Sequence, residues 1–276
     1  MLHVRRSLAV LVSFSAALAA LNAPPAAAAQ PGTVTMEWFG WSHFRFTSPS
    51  GKVILTNPFV QNPDSPVKVD DIAQADLILV PDGHADEVGS TVEIAQKTGA
   101  RVVASGGLNS WLMEQGVPQA QVPNRFAQPG TRFKMDGITV RLVESVHGSE
   151  LPRPTSAVPY GGVASGFFIT FENGYTVYFA GSTAAMSEQA LWAQMYQPDM
   201  AILHMGADHE PLDFAMQVKL LQTDNPNLSA VFPHHHRVVP TPGQTNLAEV
   251  QSAIDAMGLG VGVTEPVLGQ VYEFTK

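Results

Sequence analysis

Hydrophobic positions follow two different periods along this chain. Alternation with a period of two runs through residues 33–57, around the turn Ser48-Pro49-Ser50-Gly51, and predicts a β-hairpin. Two more hairpins are predicted at Asp136-Gly137 and Asn173-Gly174, because such dipeptides favour tight turns between strands. Short apolar runs predict further strands at residues 76–80, 101–105, 199–205, 229–233 and 269–275.

Helical periodicity fills the intervals between these strands. The predicted helices span residues 86–100, 107–116, 187–196, 211–223 and 245–258. Each half of the chain runs from meandering strands into alternating strand and helix, which predicts an α+β fold, an αββα four-layer sandwich of two sheets with helices outside. Residues 147–165 are rich in Pro, Gly and Ser, which predicts a long irregular loop over the site.

The N-terminal segment has the organisation of a secretory signal peptide. Arg5 and Arg6 precede an apolar stretch, and a small-residue run follows with Ala27 and Ala29 placed for cleavage before Gln30. The apolar stretch is shorter than the roughly 20 residues that cross a bilayer, although an uncleaved anchor remains an alternative. We therefore expect a signal peptide over residues 1–29, one domain over residues 30–276, and an exported protein, periplasmic or secreted, without stable membrane insertion.

Charge and cysteine content narrow the function further. The chain carries 24 acidic and 15 basic side chains, with a net charge of −9, and two of those basic side chains belong to the predicted signal peptide. An acidic surface repels phosphate backbones, so we expect a small-molecule substrate and no nucleic-acid partner. Because the chain has no cysteine, any metal must be held by His, Asp, Glu, backbone or water.

Histidines follow the predicted strands at four separate places. These are His84, His147, His204 and the run His234 to His236. A single histidine is more often an ordinary surface or core side chain, but residues at the ends of several strands can converge on one rim. The sequence therefore predicts a shared metal site at that rim.

The stretch LVPDGHADEVG contains four candidate ligands: Asp82, His84, Asp86 and Glu87. Asp82 and His84 are two residues apart, so an extended backbone turns both to one side. Asp86 and Glu87 begin the next helix, where acidic residues also serve as ordinary helix caps. The cap alternative accounts for Asp86 and Glu87 but not for Asp82 and His84.

This stretch, together with WFGWSHF, VESVHGS, YFAGST, MAILHMGADHE and AVFPHHH, resembles the metallo-β-lactamase superfamily, in the branch of ascorbate-6-phosphate lactonase and related uncharacterised metal-dependent hydrolases. The resemblance covers nearly the whole chain after residue 30 and implies the αββα fold with a metal site at one edge. The superfamily's HxHxDH motif falls on Asp82, His84, Asp86 and Glu87, so carboxylates stand at two histidine positions. Its later histidines fall on His147 and His235, and Ser182 stands where the superfamily has a bridging Asp.

The resemblance implies one or two divalent ions. The expected division places Asp82, His84 and His147 around a first ion and Asp86, Glu87 and His235 around a second. Neighbouring carboxylates repel one another unless a cation lies among them, which favours an altered metal site over an inactive one. Added carboxylates suit Mn²⁺ or Fe²⁺, and Zn²⁺ also accepts them.

The activity implied by the resemblance is hydrolysis, in which metal-bound hydroxide attacks a small ester, lactone, amide or phosphoester. Asp86 would orient the nucleophile, and His209 would donate a proton or hydrogen bond; His234 and His236 are alternatives for that role. Two other hypotheses remain: a catalytically silent binding relative of the same fold, and a metal-storing or metal-sensing protein. The sequence does not determine the substrate or the oligomeric state.

Overall fold

The computed structural model describes residues 32–276. The predicted signal peptide, residues 1–29, lies outside the described residues. Among those described, no helix combines the length and the hydropathy needed to cross a bilayer.

Two six-stranded sheets form the centre of the fold. The first has the order β12-β1-β2-β3-β4-β5, with strands Tyr272–Thr275, Thr33–Trp38, Phe44–Thr47, Val53–Thr56, Leu77–Leu79 and Arg101–Val103. The second has the order β11-β10-β9-β8-β7-β6, with strands Ala230–His234, Met200–His204, Thr176–Phe179, Ser165–Thr170, Ile138–Glu144 and Arg132–Met135.

Each sheet combines an antiparallel meander with a parallel part. In the first sheet β3, β4 and β5 pair in parallel, and in the second β9, β10 and β11 do. Parallel neighbours end at the same edge of a sheet, and the loops that follow those ends therefore lie side by side. This arrangement brings distant histidines together.

Within residues 32–276, six α-helices cover the outer faces: α1 Ala85–Val88, α2 Thr91–Thr98, α3 Gly106–Glu114, α4 Glu188–Tyr196, α5 Pro211–Leu221 and α6 Leu247–Ala256. One core lies between the sheets, where Phe44, Phe167 and Phe179 meet. A second lies under α2 and α3 around Ile94 and Trp111. A third lies under α4, α5 and α6. The αββα sandwich expected from the sequence is confirmed.

The continuous helix predicted over residues 86–100 is wrong. The chain forms two helices separated at Gly89, whose φ is 49°. A Cβ at this position would lie 2.6 Å from the backbone of Phe59, which packs directly against the helix break. Ser90 N donates to Pro58 O at 2.9 Å, so a tertiary contact replaces the helical hydrogen bond. The predicted hairpin of residues 33–57 likewise contains three strands, because β1 pairs with β2 before the Ser-Pro-Ser-Gly turn joins β2 to β3.

Candidate metal centre and adjoining cavity

The loop after β4 places Asp82 and His84 side by side at the edge of the first sheet. His84 Nδ1 lies 3.0 Å from Asp82 Oδ1, and the Asp82 carboxylate also accepts the backbone N–H of His84 at 3.0 Å. His147, in the loop after β7, completes the group: its ring centroid is 5.0 Å from that of His84. Asp82, His84 and His147, here called the Asp82 group, present one ligand atom each, all within 4.8 Å of one another.

A glycine lets the two loops approach this closely. A Cβ on Gly83 would lie 2.9 Å from the backbone oxygen of Ser149 and 3.0 Å from that of Glu150. Gly83 N donates to Ser149 Oγ at 3.0 Å, which ties the loop after β4 to the loop after β7. His84 and His147 therefore meet because residue 83 has no side chain.

Asp86 and Glu87 lie in α1, and their carboxylates point to opposite sides of His235. His235 Nε2 lies 3.1 Å from Asp86 Oδ2, and His235 Nδ1 lies 3.3 Å from Glu87 Oε1. Trp41 Nε1 donates to Asp86 Oδ2 at 2.9 Å, and Ser182 Oγ donates to Glu87 Oε1 at 2.7 Å. Asp86, Glu87 and His235, here called the His235 group, thus bind tertiary partners on other strands and loops.

The two groups differ in how they arrange donor atoms. Within residues 32–276, only the Asp82 group brings together three or more His or carboxylate ligand atoms within the 4.8 Å limit. In the His235 group the imidazole lies between its two carboxylates. Ser182, at the bridging-Asp position, contributes a hydroxyl that is already hydrogen-bonded to Glu87.

The three consecutive histidines at the end of β11 point in different directions. His234, the last residue of the strand, is buried with Nδ1 3.0 Å from Ser42 Oγ and Nε2 3.3 Å from Gly181 O. His235 follows with a φ of 68° and turns into the site. His236 stacks on Trp38 with ring centroids 4.8 Å apart. The left-handed backbone at His235 separates it from its two neighbours, which pack elsewhere.

Positive φ values recur around this edge. Trp41 has a φ of 56° and Asn57 a φ of 41°, and neither is a glycine. Trp41 O accepts the N–H of His235 at 3.1 Å, so two of these unusual residues hold each other. Such backbone persists only where surrounding contacts impose it, and it is often associated with a functional site.

Hydrogen bonding and burial set the pKa values of the site. The hydrogen bond with Asp82 is the main cause that raises the pKa of His84 to about 9. Burial opposes the charge of His235, but hydrogen bonds with Asp86 and Glu87 outweigh it and raise the pKa to about 9. Burial also opposes ionisation of Asp86, yet the hydrogen bond with His235 lowers its pKa to about 2. Both shifts favour the charged forms, so the ion pair of the His235 group is the one between His235 and Asp86.

At Glu87 and His147 burial outweighs the interactions that favour the charged form. It is the largest cause of the raised pKa of Glu87, followed by the charge of Asp82. It also lowers the pKa of His147, which favours the neutral imidazole. A neutral imidazole is the form that binds a metal ion.

The donor set of the Asp82 group fits a divalent ion. Asp82 is 1% exposed, and its Oδ2 has no hydrogen-bond partner within the described part of the chain. A buried carboxylate oxygen without a partner is costly unless a cation or water satisfies it. Two imidazoles and one carboxylate form the ligand set of several catalytic zinc sites, which leave a further coordination position open.

A cavity of about 480 Å³ opens beside both groups. Its walls include His84, His147, Asp86, His235 and His209. His204, at the end of β10, has its ring centroid 6.2 Å from that of His147 and 4.6 Å from that of His209. Most of the sequence-predicted residues therefore converge on one cavity, whereas Asp82, Glu87 and His234 do not line it.

Three partners were missed by sequence reasoning. Glu150 Oε2 lies 2.8 Å from His84 Nε2, Ser42 Oγ lies 3.0 Å from His235 Nδ1, and Asp213 Oδ2 lies 2.7 Å from His209 Nε2. Only the last has a sequence signal, since a His and an Asp four residues apart can meet across a helix start. The other two depend on loops packed by the tertiary fold.

Comparison with known proteins identifies the family of this chain. The beta-lactamase superfamily domain matches residues 47–258. A UPF0173 metal-dependent hydrolase from Rubrobacter xylanophilus is 30% identical over 85% of this chain and 95% of the relative. Another, from Myxococcus xanthus, is 34% identical over 81% of this chain and 77% of the relative.

A solved structure shares the architecture. Igni18, a metallo hydrolase from the archaeon Ignicoccus hospitalis, is 25% identical with a TM-score of 0.72, and the match covers 88% of this chain and 99% of that one. Sequence and fold thus agree over the same part of the chain, including the loop that carries Asp82 and His84. This chain belongs to the metallo-β-lactamase superfamily, among its UPF0173 metal-dependent hydrolases.

Proposed function

We propose that this hydrolase binds a single divalent ion through the Asp82 group and cleaves a small ester, lactone, amide or phosphoester in the adjoining cavity. The observation that carries the proposal is the Asp82 carboxylate, which groups with two imidazoles and has a buried oxygen, Oδ2, without a partner in the described structure. A cation satisfies that oxygen and can bind both imidazoles at once.

The ligand set restricts the ion. Two imidazoles and one carboxylate suit Zn²⁺, and they also suit Fe²⁺ or Mn²⁺ better than a set richer in nitrogen does. Once bound, the ion would supply a Lewis acid that lowers the pKa of a water molecule and polarises the substrate oxygen. Glu150 would orient His84 through the ring nitrogen on the other side from Asp82.

The His235 group supports one ion better than two. His235 already neutralises Asp86 at 3.1 Å, and Ser182 adds no negative charge. An ion at the Asp82 group would displace one proton from His84, whereas a second ion here would also have to enter between His235 and its two carboxylates. The single-ion site is therefore the arrangement that the positions of the ligand atoms favour.

Asp86 is proposed to accept a proton from the attacking water. It lines the cavity, and His235 and Trp41 hold its carboxylate in the ionised form. An ionised carboxylate near the reacting atoms can orient water and receive a proton. Its low pKa makes it a weak base, so orientation is the larger part of this role.

The cavity suits a small molecule. Its volume of about 480 Å³ falls within the range of ordinary ligand sites. Arg237 contributes to the wall while paired with Asp64 at 2.9 Å. The lactone resemblance makes cyclic esters and phosphorylated sugars the first compounds to test.

The test begins with elemental analysis of the protein purified without added metal. We expect about one equivalent of zinc, iron or manganese per chain, and less than about a tenth of that in Asp82→Asn, since a lost charged ligand weakens binding severely. Asp70→Asn, an exposed acidic residue elsewhere, serves as the matched control. Trace metal in all three proteins would overturn the proposal, and about two equivalents would place a second ion at the His235 group.

A screen of lactones, carboxylic esters, amides and phosphodiesters follows with the metal-loaded protein. Turnover that disappears in Asp82→Asn supports the hydrolase. Tight metal without turnover of any class would favour the metal-storing hypothesis, and absence of both metal and turnover would favour the binding relative.

We further propose that the protein is exported after cleavage before Gln30. The support is the basic, apolar and small-residue order of residues 5–29. Intact mass of the protein recovered from its native host should match a chain beginning at Gln30. A mass that includes Met1 would exclude cleavage.

A further inference from the structure

A hydrogen-bonded His–Asp pair lines the cavity beyond the metal-binding residues. His209 Nε2 lies 2.7 Å from Asp213 Oδ2. His209 belongs to the loop after β10, and Asp213 lies in the first turn of α5. The side chains are 13% and 25% exposed, so the pair is shielded from solvent but not sealed. His204 lies between His209 and His147, which connects the pair to the Asp82 group.

The carboxylate of Asp213 is held from several directions. Both of its oxygens accept the backbone N–H of Ala185, at 2.9 and 3.0 Å. Gln217 Nε2 donates to Oδ2 at 3.1 Å. Burial opposes ionisation of Asp213, but the hydrogen bonds from His209 and Ala185 outweigh it and lower its pKa.

A buried amide chain extends this support into the core. Gln217 is fully buried, and its Nε2 also donates to Thr183 O at 3.2 Å. Gln189 Nε2 donates to Gln217 Oε1 at 3.0 Å. Networks with this many satisfied members are rigid, which fixes the direction of the Asp213 carboxylate.

The backbone of His209 is fixed independently. Thr245 Oγ1 donates to His209 O at 2.5 Å, and Thr245 N donates to Ala207 O at 3.0 Å. With Nε2 directed to Asp213, the ring has one other nitrogen, Nδ1. Nδ1 has no hydrogen-bond partner among residues 32–276, and the residue itself lines the cavity.

We propose that His209 is the proton donor to the leaving group of the hydrolysed substrate, and that Asp213 is the positioning residue that holds it. This role rests on the hydrolase function proposed above. An aspartate that accepts a hydrogen bond from Nε2–H keeps that proton on the side of the ring away from the substrate. Its negative charge also stabilises the imidazolium, as in other carboxylate–histidine pairs.

The proton balance is simple. The water oxygen bonds to the substrate carbon, and one water proton passes to Asp86 and then to solvent. As the bond between that carbon and the leaving oxygen breaks, the Nδ1 proton passes to the leaving oxygen. His209 becomes neutral, keeps its Nε2 proton against Asp213, and regains a proton from solvent.

Leaving-group dependence separates this role from a structural one. A 4-nitrophenolate leaves without a proton, whereas an ethoxide needs one, so the experiment compares 4-nitrophenyl acetate with ethyl acetate. For His209→Gln we expect kcat/KM to fall about a hundredfold or more with the ethyl ester and less than about fivefold with the nitrophenyl ester. Asp213→Asn should show the same dependence with a smaller loss, and Asp213→Glu should recover part of it.

Glu210→Gln is the control, because Glu210 is an exposed acidic neighbour that does not line the cavity. This variant should leave kcat/KM unchanged with both esters. The double variant of His209 and Asp213 should be no worse than His209→Gln alone, because the two residues act as one unit.

Nitrogen-15 spectra of the imidazoles test the pair without turnover. At a pH high enough to make the ring neutral, the intact protein should show His209 with its remaining proton on Nε2, and Asp213→Asn should give a mixed tautomer. Equal losses on both esters, or an unchanged tautomer in Asp213→Asn, would overturn this inference while leaving the hydrolase intact. Failure of the unaltered, metal-loaded protein to cleave any compound of the screen would overturn the proposed function and the donor role together.

Discussion

The Asp82 group and the His235 group both draw ligands from residues 82–87, yet they balance their charges differently. In the Asp82 group a buried carboxylate oxygen has no protein partner in the described structure. In the His235 group an imidazole between two carboxylates supplies positive charge from within the protein. The Asp82 group offers three converging ligand atoms that a cation can join. In the His235 group the imidazole already occupies the space between the carboxylates, although Glu87 Oε2 is also buried without a partner among the described residues.

The difference shows that counting ligand-type residues is a poor guide to counting metal ions. Both groups contain Asp or Glu with His, and both occupy expected ligand positions. What separates them is whether a third ligand atom joins the His–carboxylate contact. His147 brings one to the contact between His84 and Asp82, whereas in the His235 group the imidazole lies between two carboxylates that Trp41 and Ser182 hold.

The largest effect on stability is expected for His235→Gln. It removes the partner of Asp86 while leaving the Asp82 group in place. Because the pair is partly exposed, we expect the unfolding free energy of the metal-free protein to fall by about 2 kcal/mol, less than for a fully buried pair. Metal content should stay near that of the unaltered protein.

The matched variant is His147→Gln, which should lose the ion yet change metal-free stability by less than about 1 kcal/mol. Denaturant unfolding and elemental analysis of the two variants give both quantities. If His235→Gln lost the ion while His147→Gln kept it, the roles assigned to the two groups would be reversed.

His43 differs from His84 and His235, which pair with carboxylates. It is a buried imidazole with no partner for either ring nitrogen within residues 32–276. Burial lowers its pKa to about 3. The unfolded chain binds this proton below about pH 6.5 and the folded chain does not, so stability is lost as pH falls through that value, by about 2 kcal/mol at pH 5.

His43→Leu should therefore flatten the fall in unfolding free energy between pH 6.5 and 5, measured by urea titration in metal-free buffer. Phe39→Leu, a change in the ring that packs on His43, is the control and should shift stability equally at both pH values. An unchanged slope in His43→Leu would mean that His43 does not account for the acid sensitivity.

The smallest effect is expected for Glu150→Gln. The Glu150 side chain is 70% exposed, although its carboxylate lies 2.8 Å from His84 Nε2. Water can replace such a partner, so metal affinity should weaken by less than about tenfold, measured by competition with a chelator. Glu144→Gln, an exposed neighbour at the end of β7, should have no effect. A loss as large as that of Asp82→Asn would make Glu150 itself a ligand.

Local rules explain which parts of the fold were predictable. The turn at Asp136-Gly137 follows from the positive φ that both residues adopt, 48° and 88°. Helix α5 begins at Pro211, a position that tolerates the missing N–H. The break at Gly89 was not predictable, because its cause is the backbone of Phe59, which lies 30 positions earlier in the chain.

The candidate site divides in the same way. Residue identity and strand ends were enough to gather Asp82, His84, His147 and the run His234 to His236, because ligand chemistry depends on residue type and strands end at shared edges. The choice of His235 within that run came from the resemblance to the superfamily. Residue identity and strand ends could not show that Asp213 supports His209 through Ala185 and Gln217, since those contacts join separate elements.

The αββα class, the chemical type of the site and the acidic, cysteine-free character of the protein could be read from the chain alone, because periodicity and composition do not depend on tertiary contacts. The position of His235 between Asp86 and Glu87 depends instead on tertiary contacts, as does the burial of Asp82 Oδ2 and Glu87 Oε2 without partners among the described residues. The direction of a side chain depends on backbone angles such as the φ of 68° at His235 and on loops packed from distant segments, and neither is encoded in residue spacing.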